Sequence, residues 1–212
     1  MNESENKPKA ISRRDFIATS AIAGAGVLVP HGLRAADSPV AGGVTRKRFA
    51  HVGTGSRSRF YRGAIVDKYA PYAEYVGFCD INPGRLKLFQ SKVKSATGVQ
   101  VPTFDAAEFD RMIAETKPDT VIVTTMDSTH DQYVIRAMEL GCDVITEKPM
   151  TTDAAKCQAI IDTQSRTGRT CTVAFNYRYS PSRTQVKDLL MKGAIGEVLS
   201  VDFHWMLNTH HG

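Results

Sequence analysis

Arg48-Phe49-Ala50-His51-Val52-Gly53-Thr54-Gly55-Ser56-Arg57-Ser58 decides the fold of this 212-residue chain. Arg48 to Val52 reads as a short apolar strand, and a helix is expected from about Arg59 to Tyr69. Between them, Gly53 and Gly55 permit a tight turn and let a pyrophosphate come close to a helix N-terminus. Ser58 stands where a third glycine would complete the usual pattern. On its own, such a turn is equally a structural bend. The following segment favours a dinucleotide. Ala73 to Cys79 reads as a second strand, and Asp80 ends it about 25 residues after the turn, near where an acid meets ribose hydroxyls in such folds. A carboxylate there repels a 2′-phosphate, so NAD is expected over NADP. NADP stays a second option, because Arg85 is placed to modify that preference.

Strands and helices continue to alternate downstream. Pro83 opens a helix that Gly98 closes. Asp105-Ala106-Ala107-Glu108 has the form of a capping box before a helix ending near Thr116. Asp119 to Thr125 contains a Val-Ile-Val run and reads as a strand buried on both faces. A helix over His130 to Leu140 is stopped by Gly141. A strand over Asp143 to Thr146, a helix over Thr152 to Arg166 and a strand over Thr170 to Ala174 follow. This order predicts an α/β fold, a Rossmann-type doubly wound parallel sheet. Ligands bind such sheets beyond the carboxyl ends of the strands. Gly53–Arg57, Asp80, Thr124–His130, Glu147–Pro149 and Phe175–Tyr179 each follow a strand and should gather on one rim. After Pro181 a helix is expected over Arg183 to Lys192, then one long alternating strand over Glu197 to Leu207. A lone strand forms no domain, so this tail is read as the start of a second domain, with the chain cut short inside it.

Composition is that of an ordinary soluble protein, 42% hydrophobic and 23% charged. The formal net charge is +5, part of it carried by the first 36 residues. Without a block of like charge, no nucleic-acid partner is expected. Cys79, Cys142, Cys157 and Cys171 show no C-x-x-C spacing; Cys79 and Cys171 fall in strands and read as buried thiols. No metal site is expected, and adjacent His210-His211 does not make a metal pair.

At the N-terminus, Ser12-Arg13-Arg14-Asp15-Phe16-Ile17 precedes a soft apolar run from Ile17 to Val29, too short for a spanning helix. Charged, apolar and small-residue regions follow in the order of a secretory signal. The paired arginines resemble the twin-arginine export signal, a route that carries folded proteins and so permits a cofactor to be loaded beforehand. Residues 1–36 are read as this signal, cleaved after Ala36, and 37–47 as a leader. Residues 48–175 form the dinucleotide domain and 176–212 the start of the second. The mature protein is expected in the periplasm without a stable membrane anchor.

Thr146-Glu147-Lys148-Pro149 puts an ammonium group on the same edge of the sheet as the glycine turn. Together with Gly53-Thr54-Gly55, Cys79-Asp80-Ile81-Asn82-Pro83, Thr124-Thr125 and His130, Phe175-Asn176-Tyr177-Arg178-Tyr179 and Gly196-Glu197-Val198, it resembles the Gfo/Idh/MocA oxidoreductases, the family of glucose–fructose oxidoreductase and inositol dehydrogenase. The family commonly has proline where Met126 stands. The resemblance implies a second α/β domain with an open, mostly antiparallel sheet, which covers the nicotinamide and often builds a homo-oligomer interface. It implies that Lys148 is catalytic and contacts the substrate hydroxyl, where a cation stabilises developing negative charge. Gly53, Thr54, Gly55, Ser56, Arg57, Asp80, Thr124, Thr125, His130, Glu147 and Asn176 are then expected along the cofactor, with Glu147 touching it or orienting Lys148. Arg178 joins Lys148 on the substrate side. The resemblance implies that an Asp and a His of the second domain supply the general base, and these would lie beyond Gly212. The expected activity is an NAD(P)-dependent oxidoreductase moving hydride between nicotinamide and a sugar, cyclitol or related polyol. Two alternatives stay open: a glycoside hydrolase of the N-acetylgalactosaminidase kind that uses NAD transiently, and a non-catalytic dinucleotide-binding protein.

Overall fold

The structure, a computed structural model, describes residues 45–206. The export signal expected over 1–36, most of the leader, and His210-His211 lie outside the described residues.

Six strands among the described residues form one sheet: β1 Lys47–Val52, β2 Ala73–Asp80, β3 Thr103–Asp105, β4 Thr120–Val123, β5 Asp143–Thr146 and β6 Cys171–Val173. Their order is β3-β2-β1-β4-β5-β6, and every pairing is parallel. This is the doubly wound sheet expected. The chain moves outward from β1 to β3, then returns to the other side of β1. The loops after β1 and β4 therefore diverge at the switch point, where such sheets bind ligands. Val52 and Val123 are register partners, so the two loops leave the sheet side by side.

The helices are α1 Ser58–Gly63, which passes into a π turn over Ala64–Lys68, then α2 Pro83–Thr97, α3 Phe109–Thr116, α4 His130–Glu139, α5 Ala154–Thr167 and α6 Pro181–Met191. Their ends follow local chemistry. The Asn82 side chain accepts from the amides of Gly84 and Arg85, Pro83 sits in the first turn, and Gly98 closes α2 at φ +75°. Asp105 and Glu108 make the reciprocal capping box expected, around a single 3-10 turn that leads into α3. The Asp153 carboxylate accepts from Ala155 and Lys156 at the start of α5.

Alternation along the strands loads both faces of the sheet. Ala50, Val52, Val121 and Val123 pack with Met112 of α3, Val134 and Met138 of α4 and Ile160 of α5. Phe78 and Ile122 pack with Tyr61, Ile65, Leu86, Phe89 and Val93 from the α1 and α2 side. Each Val, Leu, Ile, Phe or Met among them, once fully buried, contributes about 1.5–3 kcal/mol. The cysteines are free thiols. Burial, with Asp80 adding to it, pushes Cys79 up to about 12, and burial alone pushes Cys171 up to about 11.

Two elements differ from expectation. The three-residue β3 was not foreseen. Residues 197–206 form no strand, although their alternation suggested one. A strand exists only through a ladder to a neighbour, and among the described residues none runs beside this segment.

Candidate functional site

The glycine turn is fixed by its neighbour across the switch point. Gly53 has φ +84°, and a Cβ there would lie 2.6 Å from the backbone of Thr124 and Thr125. Only glycine fits both the dihedral and the contact. The Gly53 amide donates to Cys79 O at 2.9 Å, and the Thr124 hydroxyl donates to Gly53 O at 2.5 Å. Behind this pair, fully buried His51 contacts Thr124 Oγ1 through Nε2 at 2.9 Å and Tyr75 Oη through Nδ1 at 3.2 Å. Ser58, in place of a third glycine, is fully buried and donates its hydroxyl to Gly55 O at 2.6 Å. A side chain thus closes the turn locally.

Asp80 is buried at the end of β2. Its Oδ2 accepts from the Thr54 amide at 2.5 Å and the Thr54 hydroxyl at 2.7 Å, and its Oδ1 accepts from the Asn82 amide at 2.8 Å. These bonds hold the carboxylate against the glycine turn. The cavity in front of them is about 410 Å³ and is lined by Gly53, Gly55, Ser56, Arg57, Asp80, Arg85, Thr124, Thr125 and Tyr133 among others. Ile81 and Met126, 81% and 71% exposed, also line it and offer apolar walls to a flat ring. A volume of this size, mostly apolar with a few fixed polar groups, is what a small-molecule seat needs. The cradle that a Cβ would fill and the carboxylate at the β2 end fit one half of a dinucleotide.

The remaining sequence-expected residues surround this seat at other distances. Thr54 turns its hydroxyl to Asp80 and lines an adjoining cavity instead. Glu147 is buried after β5, where Oε1 accepts from Arg57 Nε at 2.5 Å and Tyr61 Oη at 2.8 Å. Its Oε2 accepts from the Lys148 amide at 3.2 Å. Burial, together with the Glu147 hydrogen bond, raises the Tyr61 phenol. His130 is fully buried, with Nδ1 3.0 Å from Pro149 O and Nε2 3.3 Å from Thr125 O. It ties the loops after β4 and β5 from behind and does not line the cavity.

Lys148 is exposed, and a cis peptide joins it to Pro149. Asn176 and Arg178 lie in a 3-10 turn after β6. Two strands separate β6 from β1, which at about 4.8 Å per strand places that turn about 14 Å along the rim from the glycines. The residues thus divide into a seat at β1, β2 and β4 and a polar edge at β5 and β6. Sequence reading missed His51, Tyr61, Tyr75 and Tyr133. For His51 a signal existed: it alternates with Ala50 and Val52, so it had to face the opposite, aromatic layer. Among the described residues, no three His, Cys, Asp or Glu side chains gather as a metal group.

A family model for the Gfo/Idh/MocA group, described as an oxidoreductase family with an NAD-binding Rossmann fold, matches residues 47–175. The chain belongs to the Gfo/Idh/MocA oxidoreductase family. The doubly wound sheet is that family's NAD-binding domain. YteT of Bacillus subtilis, whose name marks it only as a proposed oxidoreductase, is 36% identical over 148 residues, 70% of this chain and 34% of YteT. Glycosyl hydrolase family 109 protein 1 of Akkermansia muciniphila is 30% identical over 156 residues, 72% of this chain and 32% of that protein. The crystal structure of the WlbA dehydrogenase from Bordetella pertussis, in complex with NADH and UDP-GlcNAcA, superposes with TM-score 0.62 at 27% identity. It covers 71% of this chain and 43% of WlbA. The chain thus spans about a third of the length of the curated relatives it matches.

Proposed function

We propose that the protein is an NAD-dependent dehydrogenase acting on a sugar, cyclitol or related polyol. The observation that carries this reading is the shared rim. The Gly53 turn packed on Thr124 and the Asp80 carboxylate stand at one end of it, and Lys148 stands one loop further along. Bound NAD supplies a hydride acceptor. The Asp80 carboxylate would accept from ribose hydroxyls, and the amides of Gly55, Ser56 and Arg57 would face the pyrophosphate. Lys148 would hold the substrate hydroxyl, favour its deprotonated form and return a proton in the reverse direction. Arg178 would hold a second substrate oxygen. The sugar class is supported by the names of the relatives, which point to a nucleotide sugar and to glycosides.

The Ser12–Ile17 segment supports export to the periplasm through the twin-arginine route, in a folded form that already carries its cofactor. A substrate-covering second domain and a homo-oligomer built through it belong to the same proposal. Purified protein given NAD and a panel of free sugars, inositols and sugar nucleotides should form NADH with at least one of them. Reduction by none, with NAD bound, would reject the dehydrogenase reading.

The glycosidase relative favours one second reading, a hydrolase that oxidises and then re-reduces its sugar. Cleavage of an aryl N-acetylgalactosaminide with no net NADH would establish it in place of the dehydrogenase.

A further inference from the structure

Lys148 is exposed, and its long side chain makes no hydrogen bond or ion pair among the described residues. Where its ammonium stands therefore depends on how its backbone is held. Three anchors surround it. Before it, the Glu147 amide donates to Val123 O at 3.1 Å, and the Glu147 carboxylate accepts from the Lys148 amide at 3.2 Å. Directly after it, Pro149 O lies 3.0 Å from His130 Nδ1. Two residues on, the Thr151 hydroxyl donates to Asp131 Oδ1 at 3.4 Å, and Lys156 Nζ donates to the same oxygen at 3.0 Å. His130 and Asp131 are the first two residues of α4. The loop leading into them carries Thr124, Thr125, Met126 and Thr129, which line the dinucleotide seat. The first turn of α4 thus joins the seat on one side to the Lys148 loop on the other.

The hydrogen count shows which bond His130 makes. The ring is fully buried and faces two carbonyls, Pro149 O at 3.0 Å and Thr125 O at 3.3 Å. Both oxygens only accept, and a neutral imidazole has one N–H to give. No carboxylate touches the ring to hold a second proton there. Asp131 on α4 is engaged by Lys156 of α5, and Glu147 after β5 by Arg57 and Tyr61. The shorter contact takes the proton, so Nδ1–H donates to Pro149 O.

We propose that His130 is a positioning residue for Lys148: its Nδ1–H bond to Pro149 O sets the Lys148 backbone relative to the dinucleotide seat. The inference rests on the reading of Lys148 as the residue that meets the substrate hydroxyl. A shift of about 1 Å in a reacting group can cost about a hundredfold in rate, and His130 reaches the loop directly behind that group.

Two amide variants separate positioning from packing. In His130→Asn the side-chain amide stands near the place of Nδ1–H. In His130→Gln it reaches past that place, towards Nε2. Asn removes more buried volume than Gln, so a packing role alone makes Asn the worse variant in turnover and stability alike. Positioning reverses the order for turnover. His130→Gln should slow kcat at least about tenfold, with NAD affinity changed by less than about twofold, while His130→Asn recovers most of kcat despite a lower melting temperature. Any other ranking in kcat, or NAD affinity falling in step with turnover, overturns the proposal. Absence of turnover in the unaltered protein on every sugar or polyol, with NAD bound, rejects the dehydrogenase reading and the positioning role together. Turnover in the unaltered protein that both variants retain rejects the positioning role alone. Should neither variant fold, ¹⁵N NMR of the histidine rings in the unaltered protein decides: His130 must carry its proton on Nδ1, and a proton on Nε2 overturns the proposal.

Discussion

His51 Nε2 stands 2.9 Å from a Thr124 hydroxyl that itself donates to the Gly53 carbonyl. A hydroxyl has one proton to give, so Thr124 accepts from His51, and Nε2 carries the imidazole proton. Nδ1 then accepts from the Tyr75 phenol. The ring is neutral, every polar atom in the chain Tyr75–His51–Thr124–Gly53 is used, and the chain ends on the turn expected to face pyrophosphate. Aromatic edges from Tyr61 and Phe89, at 5.9 and 5.2 Å, complete its surroundings.

Acid should therefore weaken the fold through His51. Burial lowers its pKa from 6.5 to about 3, against a smaller upward pull from Asp80. Between those values the unfolded chain binds the proton and the native one does not. Stability falls as pH drops from 6.5 towards 3, by up to about 1.4 kcal/mol per pH unit from this group, and the group's contribution levels off below that. Urea unfolding across the window should show the slope. His51→Gln, which keeps a donor and an acceptor but does not titrate, should reduce it.

Gly53→Ala should cost more than its dihedral alone explains. Gly141 offers the control, with φ +86° and nothing within 4 Å of a Cβ. Gly141→Ala should lose about 1–2 kcal/mol, the left-handed penalty. Gly53→Ala adds contacts at 2.6 Å to the backbone of Thr124 and Thr125, and should lose about 2 kcal/mol more. Thermal unfolding of both variants measures the difference. NAD affinity should fall in Gly53→Ala alone.

The parts legible in sequence were those that local chemistry dictates. Asp143 to Thr146 was bounded correctly because a glycine stop and a proline bracket its apolar residues. Pro83 and Gly98 marked α2, and Asp105 with Glu108 marked the approach to α3. What escaped depends on partners distant in sequence. Thr103–Asp105 is a strand only because Phe78, Cys79 and Asp80 lie beside it. Glu147 read as a cofactor or lysine contact, yet its main partners, Arg57 and Tyr61, are about 90 residues earlier and were invisible to spacing. The cavity that Thr54 lines has the same origin. Arg62 and Lys92 belong to separate helices, and only the packing of α1 and α2 brings them to one hollow.

Glu147→Ala should destabilise the domain by about 1–3 kcal/mol, chiefly by leaving the buried Tyr61 hydroxyl without its acceptor. Arg57, whose side chain is 40% exposed, can turn to water. Glu147→Gln keeps an acceptor oxygen for Tyr61 and should recover most of the loss. Pairing Glu147→Ala with Tyr61→Phe in a double-mutant cycle should give a smaller effect than the sum of the two, since Phe leaves no hydroxyl to satisfy. Denaturant midpoints check all three.

Lys148 should separate chemistry from folding. It is exposed, its side chain makes no hydrogen bond or ion pair among the described residues, and it does not line the dinucleotide cavity. Lys148→Ala should therefore shift stability by no more than about 0.5 kcal/mol and leave NAD affinity within about twofold, because the seat lies at β1, β2 and β4. Turnover with the reactive sugar or polyol should fall by about 10²–10⁴-fold, the usual contribution of a positioned acid–base group. Lys148→Arg distinguishes two ways of acting. Guanidinium keeps the charge but cannot release a proton near neutral pH. If the ammonium only stabilises an oxyanion, Arg should recover much of the rate and leave the pH profile flat. If it transfers the proton, Arg should remain as slow as Ala, and the limb of the pH–rate profile that reports the lysine should vanish. Unchanged turnover in Lys148→Ala would remove Lys148 from the reaction.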